Sequence, residues 1–103
     1  MARLLRADGT EHTITPKDPH RGFTLGELQA LVGGDIEPVY YAVDIQRPYL
    51  MIVDEDGRRK QRPLNRIATR LYQGTPAQHD ETIVGDALIC RVTNAGETTE
   101  RWE

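Results

Sequence analysis

Tyr49 to Val53 reads YLMIV, an apolar run with no polar position in it. A β-strand sends successive side chains to opposite faces, so a run of this kind needs cover on both sides. It predicts a central strand inside a sheet, and the rest of the chain must supply neighbours and cover. Turn signals bound the run, with Asp44 to Pro48 before it and Asp54-Glu55-Asp56-Gly57 after it.

The neighbours are legible from local punctuation. RLLRA and TEHTI flank Ala7-Asp8-Gly9, which predicts a β-hairpin over Ala2 to Ile14. PKDPHRG follows as a surface connection carrying His20. Phe23 to Gly34 reads as a helix: Thr24 and Glu27 have capping-box spacing, and Phe23 and Leu28 can form the hydrophobic staple. Leu25, Leu28, Leu31 and Val32 recur at helical spacing, and Gly33 stands where a left-handed C-terminal residue is wanted. Asp35 to Val43 is strand-like, with Pro38 marking an edge or bulge.

Asp56-Gly57 predicts a second hairpin, returning through Arg58 to Gln61, with Asp54, Glu55 and Asp56 as a solvated turn. Pro63 then stops the strand, and Asn65 caps a helix over Arg66 to Tyr72 that ends at Gly74. Thr75 to Glu81 is a loop in which adjacent His79, Asp80 and Glu81 make a poor chelate, so no metal is expected. Thr82 to Val92 predicts a buried strand with a break at Gly85-Asp86. Asn94-Ala95-Gly96 allows a turn, Glu97 to Trp102 a final edge strand, and the charged ends are not expected to pack.

These elements make one α+β domain over residues 1–103, with its core in 1–92 and a turn and edge strand or tail in 93–103. The sheet is antiparallel or mixed, of five to six strands with two short helices, and its β-β-α-β opening is compatible with a β-grasp-like arrangement. At 38% apolar residues the core is thin. The one cysteine, Cys90, permits no internal disulfide and reads as a buried structural thiol. Charges at Arg3, Arg6 and Asp8 interrupt any export signal, and no apolar stretch approaches the roughly 18 residues of a membrane span. A cytoplasmic setting is expected.

The order of motifs resembles a small uncharacterised family of bacteriophages and mobile elements. The matching pieces are Asp8-Gly9, the helix end Leu28 to Gly34 followed by Ile36 and Glu37, Asp56-Gly57, Asn65 to Thr69, and Ile83-Val84-Gly85-Asp86. The resemblance covers about Met1 to Val92, implies a phage-type accessory protein, and carries over no catalytic residues. The Arg density at Arg58 to Arg62 and the tail from Thr93 depart from the family pattern.

Charge sharpens the functional reading. Arg58, Arg59, Lys60, Arg62, Arg66 and Arg70 fall in an acid-free segment of a chain whose formal charge is −3, so the remainder carries −9. No nucleophile elbow, P-loop, HExxH or dinucleotide signature occurs, and His12, His20 and His79 are scattered, which argues against catalysis and cofactors. A pI of about 5.6 argues against a long nucleic acid, leaving a nucleic-acid-associated regulator as the third reading. The second is a small phosphorylated ligand at the Arg-rich junction. The first is a non-catalytic protein that binds a host protein or itself, by strand addition or through the basic segment. The expected contact residues are Arg59, Arg62, Asn65, Arg66, Thr69 and Arg70, centred on the junction around Arg62, Asn65, Arg66 and Thr69.

Overall fold

A computed structural model of the chain describes residues 1–39, 42–74, 80–94 and 100–103, Asn94 by its backbone alone. Its elements are β1 (Ala2–Leu5), β2 (Glu11–Ile14), α1 (Leu25–Val32), β3 (Ile36–Val39), β4 (Tyr49–Asp54), α2 (Arg66–Gln73), β5 (Ala87–Asn94) and β6 (Glu100–Trp102). The strands form one six-stranded sheet in the order β2-β1-β5-β4-β3, with β6 also paired to β5. Every pairing is antiparallel, so the β-grasp likeness ends at the β-β-α-β order of the first elements.

The apolar run behaves as its pattern demands. β4 lies between β3 and β5, and Met51 and Ile52 are fully buried on opposite faces. Ile52, Leu88 and Cys90 face the layer built from Phe23, Leu28 and Val32 at α1. Met51, Val53, Ala87 and Ile89 face the layer that includes Ala68 of α2. Each buried Leu, Ile, Val or Met contributes about 1.5–3 kcal/mol, so a domain with few apolar residues gains by using both sheet faces. Cys90 sits in this core, and burial pushes its thiol up to about 12.

α1 has the predicted caps: the Thr24 hydroxyl accepts from the Glu27 amide, the Glu27 carboxylate accepts from the Thr24 amide, and Gly33 closes the helix at φ 85°. Leu25 departs from the predicted apolar face and is 58% exposed, because Phe23, just before the cap, takes the core position at that end. α2 begins at the Asn65 cap as predicted and runs one residue past Tyr72, and β5 begins after Gly85-Asp86.

Two expectations need correction. Arg58 to Gln61 is no returning strand but a run of tight turns: the Lys60 amide bonds the Asp56 carbonyl, and the Arg62 amide bonds the Gly57 carbonyl. The C-terminal end does pack, with Trp102 against the α1-side core, its carbonyl accepting from the Phe23 amide at 2.6 Å and the Glu103 amide bonding Arg91. Beyond Val39, the extension of the strand to Val43 meets Tyr40 and Tyr41, outside the described residues, as are Ala95-Gly96 of the last turn and His79.

Candidate functional site

The basic segment divides at Pro63. Its first half is organised by Asp54, the last residue of β4. Asp54 lies two residues beyond Ile52 on the same sheet face and its side chain is 1% exposed. Its Oδ2 accepts from Lys60 Nζ at 2.8 Å and from Arg62 Nε at 2.9 Å, and its Oδ1 accepts from the Asp56 amide at 2.9 Å. Burial pushes this carboxyl up, but the Lys60, Asp56 and Arg62 hydrogen bonds outweigh it and hold the group below its ordinary value. The sequence reading of Asp54 as a solvated turn residue is therefore corrected.

The same two cations close α1. Lys60 Nζ and Arg62 Nη2 donate to the Gly33 carbonyl at 3.2 and 2.8 Å, supplying positive charge to a helix end with no basic residue in its own last turn. Gly34 leaves room for this knot, since a Cβ there would stand 2.6 Å from both Asp54 Oδ1 and Lys60 Nζ. Arg58 donates to the Thr82 carbonyl, and Arg59 pairs with Asp56 at 3.1 Å on the exposed side of the loop.

Asn65 is fully buried. Its Oδ1 accepts from the Ala68 amide, and its Nδ2 donates to the Leu5 and Gly85 carbonyls at 2.8 and 2.9 Å. The Thr69 hydroxyl donates to the Ile83 carbonyl and accepts from the Ile83 amide. The structure thus gathers Arg62, Asn65 and Thr69 into internal joints, leaves Arg59 at the rim, and sets Arg66 and Arg70 one turn apart on the exposed side of α2. Among the described residues, Arg66 and Arg70 have no ion pair or side-chain hydrogen bond.

Residues outside the expected set form a cleft of about 550 Å3 beside β3, with Val39, Val53, Ile83 and Tyr72 on its walls. Glu37, Glu55 and Glu81 line it against one cation, Arg58, so its charge opposes a phosphorylated ligand. Alternation in β3 places Glu37 and Val39 on one face, but what brings Glu81 and Tyr72 to them is tertiary.

One array has the residue types of a nucleophile relay. Thr10 Oγ1 donates to Asp8 Oδ1 at 2.6 Å and lies 3.1 Å from His12 Nε2. Thr10 hydrogen bonding lowers the Asp8 pKa, so the carboxylate accepts and the Thr10 proton is directed to it. The hydroxyl then offers His12 a lone pair, the reverse of what activating a nucleophile requires. Among the described residues no group of three or more His, Cys, Asp or Glu is placed to hold a metal ion, and no helix is long and apolar enough to cross a membrane.

Fold and side-chain placement together define a small α+β domain in which Asp54, Lys60, Arg62, Asn65 and Thr69 serve internal joints. The chain belongs to the family described as Domain of unknown function (DUF3846), whose family model matches residues 2–101. No curated protein and no solved structure matches it. The motifs that carried the resemblance meet at these joints: the Asp86 carboxylate accepts from the Ala7 amide, Gly33 receives Lys60 and Arg62, and Asn65 ties Leu5 to Gly85.

Proposed function

We propose that this chain is a non-catalytic accessory protein of the phage or mobile-element type that works in the host cytoplasm by occupying a host protein. Its contact surface is the exposed face of α2 around Arg66 and Arg70, with Arg59 at the margin. The observation that carries the reading is that these two guanidiniums, alone in the basic segment, are left without an internal partner among the described residues. Arg is the side chain best suited to bidentate contact with a partner's carboxylates, and unpaired it has no cost of release before binding. Arg62, Asn65 and Thr69 serve by fixing the helix, not by touching the partner.

Capture from host lysate with tagged protein tests this. A stoichiometric partner should be recovered by the parent and lost when Arg66→Glu and Arg70→Glu are combined; recovery indifferent to both changes overturns the surface. A small phosphorylated ligand at the junction draws less support, because Asn65 and Thr69 have their hydrogen bonds filled, Arg62 is engaged by Asp54 and the Gly33 carbonyl, and the nearby cleft is acidic. A nucleotide screen by thermal shift should stay flat, whereas stabilisation by about 2.7 kcal/mol at a hundredfold excess over Kd would revive that reading.

A further inference from the structure

The two lateral edges of the sheet differ in what they offer to another strand. In an antiparallel ladder, alternate residues direct both amide and carbonyl to one side and the next residue directs both to the other. The Arg6 amide bonds the Thr10 carbonyl at 2.9 Å, so the register makes Leu4/His12 and Ala2/Ile14 the bonded pairs of β1 and β2. Glu11 and Thr13 therefore direct their N–H and C=O away from the sheet. On the opposite edge the Glu55 amide bonds the Asp35 carbonyl at 2.8 Å, which makes Glu37/Val53 and Val39/Met51 the bonded pairs. Ile36 and Pro38 face outward there, and Pro38 has no N–H to give. A proline in this position is the usual way to blunt an edge. The β3 edge is protected and the β2 edge is open.

Neither helix obstructs β2, since α1 packs over β3, β4 and β5, and α2 lies among Leu5, Val53 and Ile83. The strand is also complementary to itself. Paired antiparallel about a two-fold axis at Thr13, it sets Thr13 opposite Thr13 and Glu11 opposite Thr15 of the second copy. On the other face His12 lies beside Ile14, which is half-buried at the margin of the core. No like charges meet, Glu11 is already held by Arg3 at 2.8 Å, and Thr–Thr and β-branched pairs are favoured across strands. A two-fold pairing uses the same patch on both copies and closes on itself.

We infer that β2 is a homodimerisation strand, joining the sheets of two copies of this chain into one continuous antiparallel sheet. The pairing uses no residue of α2 and leaves the Arg66 and Arg70 face open in both copies.

Light scattering across a dilution series should show a concentration-dependent dimer, and amide exchange at Glu11 and Thr13 should slow as the dimer fills. Thr13→Pro removes an outward N–H that the monomer does not use, and should weaken dimerisation by at least about tenfold. Thr13→Lys sets two cations face to face at the axis and should do the same at low salt, which keeps the test decisive if the proline variant misfolds. A chain that stays monomeric up to its solubility limit overturns the inference. So does a dimer indifferent to Thr13→Lys, or one in which Glu11 and Thr13 exchange freely.

Discussion

The two halves of the basic segment have similar composition and opposite fates. Between Arg58 and Arg62 the positive charge is turned largely onto the protein itself, Lys60 and Arg62 inward onto Asp54 and the carbonyl that closes α1, Arg58 onto the Thr82 carbonyl, and Arg59 onto Asp56 at the exposed rim. Between Arg66 and Arg70 it is turned outward, on a helix whose buried contacts are made by other residues. The difference originates in one carboxylate. A buried charge is strongly disfavoured unless paired and hydrogen-bonded, so Asp54 claims the cations its loop can deliver, and the loop coils to deliver them. Charge density in a sequence thus marks where charge is needed, and the denser half is the one already used.

The comparison breaks most directly at Asp54. Asp54→Ala leaves Lys60 and Arg62 without their shared carboxylate and the Asp56 amide without its partner, and should cost about 3 kcal/mol, measured by urea unfolding. The figure sits at the low end for a broken buried pair because the two cations, 37% and 32% exposed, can rehydrate. The same group sets an acid limit. Its folded pKa lies below the unfolded value of about 3.9, so its stabilisation is complete above that pH and is lost as pH falls through the folded value. The parent should therefore lose stability faster than Asp54→Ala on acidification below about pH 4. Parallel pH profiles would show that Asp54 does not hold the loop.

Much of the scaffold around this contrast was legible because its signals are local. The capping box of α1, the Asp8-Gly9 turn, the Asn65 cap and the doubly apolar β4 each involve residues within a few positions of one another. The basic loop was misread for the opposite reason. Asp56-Gly57 has the composition of a two-residue hairpin turn, yet what shapes the chain beyond it is Arg62 reaching Gly33, 29 residues away. Alternation from Ile52 could have placed Asp54 inward, and a buried carboxylate would then have demanded cations. Nothing local announces that Trp102 docks against Phe23, or that Leu25 yields its core position to Phe23. Of the expected site, the helix and its cap were readable, whereas which arginines find a partner among the described residues depends on groups distant in sequence.

Within the inward half a smaller contrast should hold. Arg62→Ala removes bonds to both Asp54 and Gly33, together with the packing of its stem, and should cost about 1.5 kcal/mol. Arg59→Ala removes only an exposed pair with Asp56, and its unfolding midpoint should match the parent's. Equal losses in the two variants would mean that net charge, not the Asp54 knot, governs the loop.

The stability effects in the outward half are small, and their signs are as informative as their size. Arg66 lies in the first turn of α2, where the helix dipole disfavours a cation, and Arg70 lies in the last turn, where it is favoured. Arg66→Ala should therefore stabilise slightly and Arg70→Ala destabilise slightly, each by roughly 0.3 kcal/mol, with both differences shrinking in high salt. Alanine is the better helix former by only a small margin, so propensity does not reverse this order. The double variant should unfold within roughly 0.5 kcal/mol of the parent while losing the captured partner. A double variant destabilised as much as Arg62→Ala would place these arginines in the same internal service as the first half, and would remove the distinction on which the contact surface rests.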